Sequence, residues 1–194
     1  MIIWKKSTAK LQLNRPAIFL DRDGVINEEN SYVSCVGDLH IYDYVKDCVN
    51  VFHSKGYYVI VVSNQSGIAR GIIQESNLAV MNELIGKQTD VDAIYCCPHY
   101  KEGIVKKYAV SCDCRKPKTG LAKQAMRDFG IDLSSSYMVG DRANDIIMGE
   151  RLGVKTALVK TGYGIKRLEA IVYPDYIFDD LRQFAQFLNG IQTE

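Results

Sequence analysis

Short apolar runs alternate along this chain with stretches whose apolar positions recur every three or four residues, a pattern that predicts strand, helix, strand over most of its length. Ala17-Ile18-Phe19-Leu20 predicts the first strand. A helix follows from about Tyr44 to Ser54 with Gly56 as its stop, and Tyr57 to Val62 predicts a second strand, which together make one βαβ unit. Gln74 to Lys87 predicts a helix and Ala93 to Cys96 a strand. Gly120 to Phe129 predicts a third helix, closed by Gly130, and Tyr137-Met138-Val139 a fourth strand. Ala143 to Leu152 is helical with Gly153 after it; Lys155 to Val159 and Tyr176 to Phe178 predict strands, and Asp179 or Asp180 caps a final helix. Strands this apolar, alternating with helices, imply an α/β fold: a doubly wound, mostly parallel sheet covered on both faces. In such sheets ligands bind beyond the carboxyl ends of the strands. No internal repeat or low-complexity tract interrupts the pattern.

Composition narrows the class. Hydrophobic residues make up 47% of the 194 and charged residues 24%, a soluble globular balance, and the length fits a single domain over 1–194. With 24 basic against 23 acidic residues there is no overall field to favour nucleic acid or an anionic membrane surface, so any anion site must be local. The start, Met1 to Lys6, turns polar before an apolar signal core could form, and the longest apolar run, Tyr57 to Val62, is too short to span a bilayer. A cytoplasmic monomer with a small-molecule partner is the expectation. Six cysteines in such a chain point to metal rather than disulfides, because four of them crowd between Cys96 and Cys114 beside a histidine. Cys35 and Cys48 read as ordinary thiols, and His40 and His53 as cap or surface residues.

Polar segments follow the predicted strands. Asp21-Arg22-Asp23-Gly24 stands directly after the first. A strand-end aspartate can attack phosphorus as a covalent nucleophile while a second carboxylate two residues on serves the leaving oxygen as general acid. Ser63-Asn64-Gln65-Ser66-Gly67 ends the second strand with a hydroxyl, two amides and a glycine that suit phosphate oxygens, though the same residues make any turn. In Gly140-Asp141-Arg142-Ala143-Asn144-Asp145, Asp141 is either a plain helix cap or a ligand for Mg²⁺, the hard cation needed where a carboxylate meets a phosphate. Asp145 either orients a neighbour, holds a metal-bound water, caps the helix or lies on the surface. Arg115-Lys116-Pro117-Lys118 is a basic patch in which Lys116 could neutralise a phosphoryl group and Arg115 grip a second phosphate.

Cys97-Pro98-His99 and Cys112-Asp113-Cys114 are two chelating pairs, each with one intervening residue. Three thiolates and one imidazole make a closed tetrahedral set for Zn²⁺, which is structural because no position remains for water. Cys96 competes with Cys97; Cys97 is chosen for its symmetry with the second pair. A non-catalytic zinc-stapled module that binds RNA is the reading from another class, and the near-neutral charge counts against it.

With Asp21-x-Asp23-Gly24, Ser63, Lys116 and Gly140-Asp141 in that order, the chain resembles phosphatases of the haloacid dehalogenase superfamily. Phe19 to Asn27, Ser63 to Gly71, the Cys/His set and Cys112 to Pro117 are similar to the branch that contains the heptose-bisphosphate and histidinol-phosphate phosphatases. The likeness runs from about Ile18 to Gly164 and leaves the first sixteen residues without a role. It implies no large cap domain and a zinc-binding loop insert that helps shape the substrate mouth. It makes Asp21 nucleophile and Mg²⁺ ligand, Asp23 acid then base and a Mg²⁺ ligand through its carbonyl, and Asp141 the remaining ligand. Ser63 and Lys116 hold the phosphoryl group. Glu29, Asn30, Ser31, Tyr32, Asn64, Gln65, Ser66, Arg115 and Arg142 surround the sugar phosphate and its second phosphate. Relatives often carry Thr at Ser63, Asp at Glu29 and Lys at Arg142; the latter two departures bear on which sugar fits.

Overall fold

The computed structural model describes residues 1–7, 13–163 and 172–190; part of the N-terminal extension, and Gly164 where the resemblance ends, lie outside them. Seven strands form one sheet: β1 (Ile2–Lys5), β2 (Arg15–Leu20), β3 (Tyr58–Asn64), β4 (Ala93–Cys97), β5 (Ile131–Gly140), β6 (Lys155–Val159) and β7 (Tyr176–Phe178). The helices are α1 (Val45–Ser54), α2 (Glu75–Thr89), α3 (Gly120–Phe129), α4 (Ala143–Leu152) and α5 (Leu181–Gly190). The spatial order is β1-β4-β3-β2-β5-β6-β7, parallel throughout except for β1, which runs antiparallel on β4. From β2 the chain builds outward through β3 and β4, then returns to add β5, β6 and β7 on the other side. The reversal puts a crevice at the carboxyl ends of β2 and β5, the place where such sheets bind ligands.

Alternation along the strands divides the core in two. Ile18, Leu20, Val59, Val61, Val139 and Cys96 face α1, α2 and α5, which supply Val49, Phe52, Leu78, Met81 and Phe184. Ala17, Phe19, Tyr58, Ile60, Met138 and Cys97 face α3 and α4, which supply Leu121, Ala125, Phe129 and Met148. Cys96 and Cys97 therefore point to opposite faces of the sheet. α5 is capped by Asp180, whose Oδ1 accepts the Gln183 N–H at 3.0 Å. No helix among the described residues is long and apolar enough to cross a membrane.

Two elements differ from the sequence expectation. β5 begins at Ile131 rather than Tyr137, because its polar first half, Asp132 to Ser135, is only partly covered and so lacks an apolar signature. There the register of β2 on β5 shifts between Pro16 and Ile18, and Ser136 Oγ accepts the Ala17 N–H at 2.8 Å. β1 occupies part of the extension that carried no expected role. It is held by Trp4, whose ring lies where a Cβ on Gly86 would stand, and by Lys5–Asp128 (2.8 Å) and Lys6–Asp90 (2.7 Å) ion pairs. His53, expected as a cap or surface residue, pairs through Nε2 with the buried Asp92 at 3.0 Å.

Candidate active site

Asp21 follows β2, Ser63 and Asn64 end β3, and Asp141 follows β5, so three strand ends converge on the crevice. A cavity of about 380 Å³ opens there, lined among others by Asp21, Asp23, Ser63 and Lys116. Lys116 is 3% exposed; its ammonium lies 2.7 Å from Asp21 Oδ1 and 2.6 Å from Asp145 Oδ1 in ion pairs and donates a hydrogen bond to the Val62 carbonyl at 2.8 Å. Asn64 clamps the backbone of Lys116 on both sides, Oδ1 accepting its N–H at 3.0 Å and Nδ2 donating to its carbonyl at 3.1 Å. Asn64 thus reaches the site as a brace for Lys116.

Asp21, Asp141 and Asp145 each bring a carboxylate oxygen within 4.8 Å of the others, all three buried. Burial, countered by Lys116 but reinforced by the charges of Asp145 and Asp141, holds the Asp21 carboxyl well above its usual range. Burial and then Asp145 push Asp141 up to about 7. Burial acts to lower Lys116, and Asp145 and Asp21 outweigh it, so the ammonium stays above its ordinary value. Three carboxylates around one ammonium are short of positive charge. Asp141 Oδ2 accepts the Tyr163 N–H at 2.8 Å, while its Oδ1 is buried without a hydrogen-bond partner among the described residues. A carboxylate oxygen left without a hydrogen bond, 3.8 Å from Arg142 Nε, among hard donors beside the cavity fits Mg²⁺. The carboxylate also explains two glycines: a Cβ on Gly24 would lie 2.7 Å from Asp141 Oδ2, and one on Gly162 only 2.0 Å.

Asp23 is held apart from that group. Its Oδ1 accepts from Arg22 Nε (3.0 Å), Arg22 Nη2 (2.7 Å) and Asn27 Nδ2 (2.9 Å), and its Oδ2 from Gln65 Nε2 (2.9 Å), which also donates to Ser63 Oγ at 2.8 Å. Burial works to raise its pKa, but the Arg22 charge and these hydrogen bonds prevail and hold it below the usual carboxylate range. Arg22, only 1% exposed, was not singled out from sequence. Its neighbours in the motif are the sole signal, since an arginine between two aspartates reads as a solvated turn.

Of the residues expected around a sugar phosphate, Glu29, Ser31, Tyr32, Asn64, Gln65, Ser66, Arg115 and Arg142 line the cavity. Asn30 does not. It is exposed, and its carbonyl accepts the Tyr32 N–H in a tight turn that directs its two successors inward. Arg142 Nη2 pairs with Glu29 Oε2 at 2.8 Å, and Arg115 Nη1 donates to the His99 carbonyl at 3.3 Å. Tyr163, also in the lining, carried no sequence signal.

The second cluster sits beside β4. Cys97, His99, Cys112 and Cys114 are gathered, with Sγ–Sγ separations of 3.1 to 3.6 Å and His99 Nδ1 at 3.3 Å from Cys114 Sγ and 3.8 Å from Cys97 Sγ. The edges of a tetrahedral zinc–thiolate site are about 3.8 Å, so this donor set fits Zn²⁺ closely. Cys96, on the opposite face, instead meets Asn82 Nδ2 at 3.6 Å. Hydrogen bonding from Cys97 is the first cause that pushes Cys114 down to about 5, and the same contact holds Cys97 up, a mutual strain that a shared cation relieves. Because Arg115 and Lys116 follow Cys114 directly, the cluster also fixes the loop that presents them to the cavity.

The HAD-hydrolase-like family model matches residues 113–184. A D-glycero-β-D-manno-heptose-1,7-bisphosphate 7-phosphatase of Haemophilus ducreyi is 39% identical over 184 residues, 91% of this chain and 100% of that protein, a longer match than Ile18 to Gly164. A D-glycero-α-D-manno-heptose-1,7-bisphosphate 7-phosphatase of Photorhabdus laumondii is 41% identical over 154 residues, 75% of this chain and 82% of that one. The crystal structure of the D,D-heptose 1,7-bisphosphate phosphatase of B. bronchiseptica, complexed with magnesium and phosphate, has a TM-score of 0.77 at 29% identity and covers 89% of this chain and 97% of its own. Near-full-length identity at this level, on a shared fold, makes the chain a phosphoric monoester hydrolase that belongs to the D-glycero-D-manno-heptose-1,7-bisphosphate 7-phosphatase family of the haloacid dehalogenase superfamily.

Proposed function

We propose that this enzyme removes the C7 phosphate of D-glycero-D-manno-heptose 1,7-bisphosphate, in the making of nucleotide-activated heptose, through an aspartyl phosphate on Asp21. The observation that carries the reading is the Asp21 carboxylate held 2.7 Å from Lys116 at the crevice, with Asp141 and Asp145 gathered beside it. Asp21 attacks phosphorus while Asp23 gives its proton to the departing sugar oxygen. Asp23 rests ionised against Arg22, so it must first gain that proton. An arriving phosphate dianion raises its proton affinity by like-charge repulsion. In the second step Asp23 takes a proton from the water that attacks the aspartyl phosphate, and inorganic phosphate leaves. Ser63 Oγ and Lys116 Nζ hold the phosphoryl oxygens, Lys116 exchanging one of its present contacts for them. Asp21, Asp141 and the Asp23 carbonyl would hold Mg²⁺, which supplies neutralising charge between nucleophile and phosphate.

Arg115 and Arg142 at the mouth provide the cations for the second phosphate, and the Cys/His set with Zn²⁺ keeps the Arg115 loop in place. Phosphate release from both anomers of the heptose bisphosphate and from histidinol phosphate, measured side by side, tests the reading. A kcat/KM at least ~100-fold higher for a heptose bisphosphate anomer than for histidinol phosphate is expected. Turnover of histidinol phosphate equal to or above that of both anomers would overturn it.

A further inference from the structure

Arg142 stands where three segments distant in sequence meet. It precedes α4, pairs with Glu29 of the loop after β2 at 2.8 Å, and lays its guanidinium 4.0 Å over the ring centre of Tyr163, in the turn after β6. All three side chains line the cavity. Tyr163 is tied down from below: its N–H donates to Asp141 Oδ2 at 2.8 Å, Gly162 packs against the same carboxylate, and the Thr161 hydroxyl donates to the Gly24 carbonyl. The ring is therefore anchored, through its own backbone, to the carboxylate at the floor of the site.

A planar guanidinium with one face on a ring and one edge on a carboxylate has lost most of its freedom before substrate arrives. We propose that Tyr163 is a positioning residue that holds Arg142 at the cavity mouth, and so sets the preference for phosphate esters with a polar, anionic body over simple aryl phosphates. The proposal rests on the sugar-bisphosphate reading of the site. A flexible arginine would have to be ordered by each substrate, and that ordering weakens binding.

The test compares kcat/KM for the heptose bisphosphate with kcat/KM for p-nitrophenyl phosphate in the wild type, Tyr163→Phe, Tyr163→Leu, Arg142→Met and the double variant Arg142→Met/Tyr163→Leu. Tyr163→Leu should lower the ratio of the two roughly fivefold to tenfold, the size of a partly desolvated cation–ring contact, and chiefly through KM for the bisphosphate. Tyr163→Phe, which keeps the ring face, should hold the ratio within about twofold, and Tyr163→Leu should add less than about twofold once Arg142 is Met. An unchanged ratio in Tyr163→Leu, an equal loss in Phe and Leu, or a full loss persisting in the double variant would overturn the proposal. If the wild type instead prefers histidinol phosphate, the heptose reading falls. The same cycle then scores Tyr163 on that substrate, with a fivefold to tenfold loss in support and an unchanged ratio against.

Discussion

The aspartates at the ends of β2 and β5 and the Cys/His set beside β4 can each hold a cation, yet they are built in opposite ways. The Cys/His set is closed: four donors face one another, so a tetrahedral ion would have no position left for water. The aspartates are open. Asp21 lines a cavity, one oxygen of Asp141 has no hydrogen-bond partner among the described residues, and a lysine shares the site. Burial does not separate the two, since both are largely covered. What separates them is donor capacity left over next to space for a reactant. A buried polar group without a partner marks where something else must bind, and a set that satisfies itself marks where the chain is being held.

That contrast can be broken by substitution. Asp21→Asn should lower kcat at least ~10³-fold while the melting temperature stays level or rises, since a like charge leaves the buried group. Phosphate release at the wild-type rate would end the assignment of Asp21 as nucleophile. Cys114→Ser should do the reverse, losing zinc by elemental analysis and lowering stability by about 4 kcal/mol, which is ~8–16 °C in a chain of this size. Unchanged zinc content in that variant would show that the set is not a metal site.

Gly162→Ala places a methyl group 2.0 Å from Asp141 Oδ2 and should displace that carboxylate. Magnesium affinity, read from the metal dependence of turnover, is expected to fall about 10- to 100-fold with the zinc content intact. The smallest effect belongs to Asp128, in the last turn of α3 and a member of neither cluster. Burial raises its pKa, but hydrogen bonds from Lys5, Tyr95 and Gln124 outweigh it and hold the group below its ordinary value. A depressed folded pKa means the contribution is present above the unfolded value of about 3.9 and is lost as pH falls through the folded value. Asp128→Asn should therefore cost about 1 kcal/mol by urea unfolding at pH 7, with the difference from wild type shrinking below about pH 4.

Much of this was legible in the chain. Strands buried on both faces read as continuous apolar runs, and Asp21, Ser63 and Asp141 were visible because polar residues break off such runs at their carboxyl ends. The Cys/His pairs were visible because chelation demands short spacing. β1 was not, for a four-residue strand has too little periodicity, and its place depends on β4 having a free edge. Arg22 reads as a turn residue until its burial is known. Asn30 and Tyr32 look alike in a loop, and only the turn at Ser31, with φ of +56°, decides that one faces water and the other the cavity.

The sequence by itself determined the alternation of elements, the strand-end chemistry and the chelating pairs, because all of these are set by spacing along the chain. The tertiary structure alone decided that Lys116 bridges Asp21 and Asp145 and that Tyr163 meets Arg142. Those contacts join residues tens of positions apart, and their geometry follows from strand order and from which face of the sheet each side chain takes.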